Sequence, residues 1–122
     1  MICTITLYEV GTNNISAFAS AFDLDGPWHQ ISSRQPGFLY TNLLRRSNHL
    51  LFFLVQELWE SERDYVNAES NEEVYSFRKS LRTLAVCQQP LGTFRFRDQW
   101  EQELNDDHTY RKPSELRNWQ MD

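Results

Sequence analysis

Four side chains stand out as able to do chemistry. Glu57 is a carboxylate inside the largely apolar segment Leu50 to Trp59. Burying it unpaired is costly. It is therefore expected in a salt bridge with Arg45 or another arginine across a sheet, or as a carboxyl with raised pKa acting as a general base. Trp59, two residues on, offers an indole wall with one N–H donor, or closes the end of a strand as a core residue. Tyr65 offers a phenolic donor one helical turn beyond a helix start at Ser61, or packs with its hydroxyl toward solvent. His29 follows Trp28 in a broken helical region. It is either solvated or a base within reach of a phenolic proton. His49 falls in a polar turn and reads as solvated. Asp106-Asp107-His108 matches no metal-ligand spacing and reads as an acidic tail loop.

Other chemistries are excluded by what is missing. With four glycines and no glycine-rich phosphate loop, nucleophile elbow or CxxC pair, the chain is expected to carry no nucleotide cofactor and no metal. Seventeen acidic against twelve basic residues give a net charge of −5, which repels polyphosphate and argues against nucleic-acid binding. The longest apolar run, Leu50 to Val55, is far short of the ~20 residues a membrane helix needs. The first residues lack a basic stretch and a cleavage site, so the protein is read as cytoplasmic. Cys3 and Cys87 lie in apolar surroundings and read as two buried free thiols.

The elements that must position these groups follow from periodicity. At 122 residues, 40% of them hydrophobic and 24% charged, the chain is sized for one globular domain. Residues 2–8 alternate as a strand, with Cys3, Ile5 and Leu7 on one face and Thr4, Thr6 and Tyr8 on the other. Ile15, Phe18, Ala19 and Phe22 form a helical stripe. Pro27 opens a second short helix reaching Arg34, with Trp28 and Ile31 inward. Residues 38–46 and 50–59 read as a hairpin around Ser47-Asn48-His49. Ser61 with Asp64, and Ser70 with Glu73, read as successive capping boxes. Behind the second, Val74, Phe77, Leu81, Leu84 and Ala85 keep helical spacing until Gln88-Gln89-Pro90. Residues 91–96 are the expected last strand. Residues 97–122 turn polar, with Trp100, Leu104, Leu116 and Trp119 as the only large anchors, and read as a C-terminal extension to a domain at 1–96.

The order β, broken α, β, β, broken α, β is the split βαβ, or ferredoxin-like, pattern: an α+β fold with a four-stranded antiparallel sheet and helices on one face. Both faces of residues 50–59 are apolar, yet the helices can cover only one. An exposed apolar sheet face is rarely tolerated in a monomer. A homodimer with the two sheets face to face, a dimeric α/β barrel, is therefore expected.

Two motifs add a family resemblance. Pro36-Gly37-Phe38-Leu39 leads into the second strand, and Glu57-Leu58-Trp59-Glu60-Ser61 ends the third. Pro-Gly-Phe followed by Glu-x-Trp-x-Ser resembles the antibiotic biosynthesis monooxygenase-like domain of the dimeric α/β-barrel superfamily, over roughly residues 1–96. That resemblance implies a pocket between sheet and helices in each subunit for a small aromatic or polyketide-like ligand. The implied activity is cofactor-independent oxidation; the alternative is a dimeric barrel without turnover that binds a small ligand or serves a stress-related role. It puts Trp59 and Tyr65 in the pocket wall and corresponds only approximately to Arg78, Lys79 or Arg82 for a basic residue. The asparagine that the monooxygenase branch carries four residues before the tryptophan is Val55 here. The haem-degrading branch fits poorly. No histidine lies between His49 and His108, and Thr4 and Thr6 stand where that branch has an asparagine.

Overall fold

Eight regular elements and one turn of 3-10 helix arise in chain order in the computed structural model, which describes residues 1–97 and residue 100. They are β1 (Ile2–Val10), the 3-10 turn (Thr12–Asn14), α1 (Ile15–Ser20), α2 (Pro27–Ser32), β2 (Phe38–Arg45), β3 (Phe52–Trp59), α3 (Glu62–Glu69), α4 (Glu72–Leu84) and β4 (Ala85–Arg95). The strands form one antiparallel sheet in the order β2-β3-β1-β4. This is the expected ferredoxin-like α+β architecture with helices on one face. The expected extension, apart from Arg97 and Trp100, lies outside the described residues. Among the described residues, no helix is long and apolar enough to cross a membrane.

The alternation in β1 and β3 decides which side chains meet the helices. Ile2, Thr4, Tyr8 and Val10 on β1 and Phe53, Val55, Glu57 and Trp59 on β3 are buried on the helix side. Pairing sets Thr4 opposite Glu57 and Ile2 opposite Trp59. The more apolar face of β1, with Cys3, Ile5 and Leu7, turns instead to the open side. There it aligns with Leu54, Gln56 and Leu58 of β3, with Tyr40, Asn42 and Leu44 of β2, and with Phe94 of β4. Tyr40, Leu44 and Phe94 are about half exposed there, at 50%, 48% and 48%.

On the covered side, Phe18, Trp28, Val74, Phe77 and Leu81 pack against Tyr8, Val10, Phe53 and Val55. Trp28 stacks on Phe77 with centroids 4.9 Å apart. A run of rings then continues through Phe38 to Trp59 and Tyr65. Trp28 and Ile31 are thus the inward residues of α2, as their spacing predicts, although the helix ends at Ser32 rather than Arg34.

Four local expectations are corrected. The hairpin turn is wider than three residues: β3 begins at Phe52, and Leu50 is 59% exposed in the turn, its carbonyl accepting from Arg45 Nε at 2.8 Å. The cap of α4 is Asn71, whose Oδ1 accepts from the amides of Glu73 and Val74. Ser70 instead closes α3. Asn71 is one residue nearer the first apolar position, so its shorter reach satisfies two amides that helix geometry leaves open.

The last strand starts at Ala85, directly after α4, rather than at residue 91. Gln88, Gln89 and Pro90 pair with β1. Proline is tolerated because β4 is an edge strand and the register shifts between Ile5 and Thr6, opposite Gly92 and Pro90. Cys87 consequently lies exposed on β4 and Cys3 is half-buried on β1, so both thiols are free but neither is fully buried.

The cap of α3 does follow expectation. Ser61 Oγ accepts from the Asp64 amide at 3.1 Å and donates to Asp64 Oδ2 at 2.8 Å. This cap also explains the Pro-Gly-Phe turn. Gly37 has φ +80°, and a Cβ there would stand 2.3 Å from the Asp64 carboxyl. The Gly37 carbonyl accepts from the Glu60 amide at 2.7 Å. The turn into β2 and the exit from β3 are therefore one interlocked unit, and it fixes where Trp59 ends and α3 begins.

Candidate functional site

β3 carries Glu57 and Trp59 on its helix side because they are two residues apart and strand side chains alternate. Residues 61–64 then turn the chain into α3, which brings Tyr65 back over Trp59 with ring centroids 5.9 Å apart. α4 follows with Arg78 one residue beyond the core residue Phe77. From there its guanidinium reaches the sheet. Trp59 Nε1 donates to Glu57 Oε1 at 3.3 Å. Arg78 forks onto Glu57, with Nη2 to Oε1 at 2.9 Å and Nη1 to Oε2. Its other edge holds Glu69, the last residue of α3, with Nη2 and Nε at 2.7 and 3.1 Å from Oε1. The Arg78 Cζ lies 4.7 Å from the centroid of Trp28, whose own Nε1 donates to Thr41 Oγ1 at 2.8 Å.

Burial grades outward through this cluster. The side chain of Glu57 is 4% exposed, that of Arg78 19% and that of Glu69 37%, so the cluster opens toward the α3–α4 side. Burial acts to lower the Arg78 pKa. The charges and hydrogen bonds of Glu57 and Glu69 outweigh it and push the pKa up, so the guanidinium stays charged. Tyr8 is pushed up to about 12, chiefly by burial, with Arg78 opposing that rise and Glu57 adding to it. Tyr65 is also raised, by burial first and then by Glu69. Both phenols are held as donors at neutral pH.

Three of the four residues named from sequence are brought together: Glu57, Trp59 and Tyr65. His29 is not, since it is exposed on α2, and its neighbour Trp28 occupies the site instead. Six residues make α2 barely more than one and a half turns, so the residue after an inward tryptophan points away. Glu57 has an arginine partner, as its burial predicts, but the partner comes from α4. Arg45 is engaged at the hairpin and lies over Phe53. Of the three basic residues on α4 that the resemblance left open, Arg78 is the one that reaches the cluster.

Sequence reasoning missed Glu69 and the role of Trp28. A glutamate at the end of a polar helix carries no signal until α4 is packed beside it. Among the described residues, every buried side-chain nitrogen and oxygen has a hydrogen-bond partner, and no group of three or more potential metal ligands occurs.

Neither a protein-family model nor a curated protein matches this sequence. Solved structures do match its fold. A proposed antibiotic biosynthesis monooxygenase from Nitrosomonas europaea superposes with a TM-score of 0.64 at 18% identity, over 79% of this chain and 98% of that one. The fold is that of antibiotic biosynthesis monooxygenase-like proteins. A single-residue variant of SnoaB, a cofactor-independent oxygenase from Streptomyces nogalater, superposes at 0.65 with 19% identity, covering 79% and 92% of the two chains. A further proposed monooxygenase of this kind, from Deinococcus radiodurans, gives 0.64 at 12% identity with the same coverage. The monooxygenase-like resemblance read from Pro36-Gly37-Phe38 and Glu57-Leu58-Trp59-Glu60-Ser61 thus agrees with the three-dimensional match.

Proposed function

We propose that this protein is a homodimeric, cofactor-independent monooxygenase-like enzyme of the cytoplasm, acting on a small hydroxylated aromatic or polyketide-like molecule. The substrate binds on the helix side of the sheet, beside Trp59 and Tyr65. The observation that carries this reading is a buried carboxylate, Glu57, joined in one corner to a guanidinium, an indole and a phenol. A carboxylate has about four acceptor positions. The contacts from Trp59 and Arg78 use three of them.

In the proposed reaction the substrate is its own reductant. An electron-rich phenol gives up its hydroxyl proton and a ring C–H, dioxygen supplies the new oxygen, and the products are a quinone and water. Glu57 takes the hydroxyl proton. Tyr65 orients the substrate oxygen, Trp59 holds the Glu57 carboxylate in place through its one N–H, and charged Arg78 stabilises negative charge as it develops. His29 has no part in this. The dimer is supported by the open sheet face, where Leu54, Leu58 and half-exposed Tyr40, Leu44 and Phe94 lie together.

One observation favours a second reading, a barrel that binds without turnover: Arg78 already holds Glu57 by two hydrogen bonds. Oxygen uptake with 1,5-dihydroxynaphthalene separates the two. Turnover consumes one dioxygen per molecule and yields the hydroxynaphthoquinone and water. Glu57→Gln should lower the rate by about a hundredfold or more, the usual range for losing a general base. Binding without oxygen uptake would establish the second reading, and absence of binding would end both.

A further inference from the structure

Resting on the proposed substrate site, we infer that Glu69 sets the charge of the ligand: a neutral hydroxyl-bearing aromatic is accepted, and its carboxylate analogue is turned away. Arg78 is the cation at the centre of this cluster, and it is already engaged on both edges. Four of its five N–H groups are accounted for by Glu57 and Glu69, and Trp28 lies against its face. An incoming carboxylate must therefore displace Glu69 or share Arg78 with two carboxylates. Pairing one guanidinium with two carboxylates leaves an excess negative charge.

An acidic cleft adjoins the cluster as well. Beside the cluster, at the α3–α4 junction, a cleft of about 390 Å³ is lined by Glu69, Ser70, Glu72, Tyr75 and Ser76. Glu69 belongs to both the cleft and the ion pair, so a ligand held in the cleft lies against a carboxylate that engages Arg78. Glu72 lines the cleft as well, whereas Glu73 lies outside it and is paired with Arg34. Arg82, one turn beyond Arg78, is exposed, and its field is felt at Tyr8. Tyr65 shows how a phenol fares here: burial and Glu69 keep its proton on, against the pull of Arg78. A neutral phenol can donate to these carboxylates, whereas a benzoate-type group can only repel them.

Calorimetric titration of the full chain with 2-naphthol and 2-naphthoate tests this. One excess charge at 6–10 Å, with an effective dielectric constant near 20, corresponds to about ten- to a hundredfold in affinity. The wild-type protein should therefore prefer 2-naphthol by at least about tenfold. Glu69→Gln keeps an acceptor for Arg78 but removes the charge, and should cut that preference by about tenfold. Glu73→Gln, an equal charge change outside the site, should leave the preference within about twofold. Equal binding of the two ligands by wild type, or an unchanged preference in Glu69→Gln, overturns the inference while leaving the proposed site standing. Failure of both ligands to bind removes the site itself, and the inference with it.

Discussion

Replacing Arg78 by methionine should destabilise the domain severely, and the size of the effect follows from what is left behind. Glu57 is buried, with its side chain 4% exposed, and Arg78 supplies two of its three hydrogen bonds. Removing one partner of a buried ion pair costs about 3–5 kcal/mol, because the other charge stays buried and unmatched. The lost cation–π contact with Trp28 adds about 1 kcal/mol. Against a total stability of about 5–15 kcal/mol, this is about a quarter or more of what holds a domain together.

In urea, with a slope of about 1.5 kcal/mol per molar, the midpoint should fall by about 3–4 M. The double change Glu57→Leu with Arg78→Met removes both charges and should recover at least half of that loss. The single variant should also regain stability between pH 7 and pH 5, since acid can neutralise the stranded carboxylate; the double variant should not. A midpoint for Arg78→Met within about 0.5 M of wild type would refute the assignment of this pair as a buried electrostatic unit. So would a double variant as unstable as the single one.

Two further outcomes follow from the same geometry. Gly37→Ala should cost at least about 2 kcal/mol in chemical denaturation, because φ +80° disfavours a side chain and the added Cβ would collide with the Asp64 carboxyl. Combining it with Asp64→Ala should restore only part of the loss, since the backbone strain remains. Tyr8 ionises near 12 when folded against 10 unfolded. Below pH 10 both states keep the proton and stability is unaffected. Between 10 and 12 only the unfolded state releases it, so stability falls as pH rises, by about 2–3 kcal/mol in total. Tyr8→Phe should flatten that limb of the curve, and an unchanged limb would assign the alkaline loss to other groups.

The interlocked turn tested by Gly37→Ala was visible in the sequence only as two separate motifs. Their physical connection, Asp64 lying over Gly37, appears once β2 and β3 pair. The same limit applies to the site. A carboxylate in an apolar strand must find a cation, so an arginine partner for Glu57 was legible. Which arginine was not, because Arg45 and Arg78 differ only in where packing carries them.

Alternation, helical spacing and capping chemistry are local, and they determined the element order, the inward faces of α1, α2 and α4, and the fold class. The sequence also carried the alternation that puts Glu57 and Trp59 on one face. Packing decided the rest. β4 begins at Ala85 because β1 offers it a ladder, which overrides the breaker signal of Gln88-Gln89-Pro90. The helices cover the face of β1 bearing Thr4 and Tyr8 rather than the more apolar Cys3, Ile5 and Leu7, because antiparallel register with β3 ties Thr4 to Glu57. Arg78 meets Glu57 from α4, while Glu69 and Trp28 meet Arg78 from α3 and α2, and no spacing along the chain encodes a meeting of that kind. Local free energies are readable from neighbours in sequence. The position of a charge relative to one 21 residues away is set only when the whole sheet and its helices close around both.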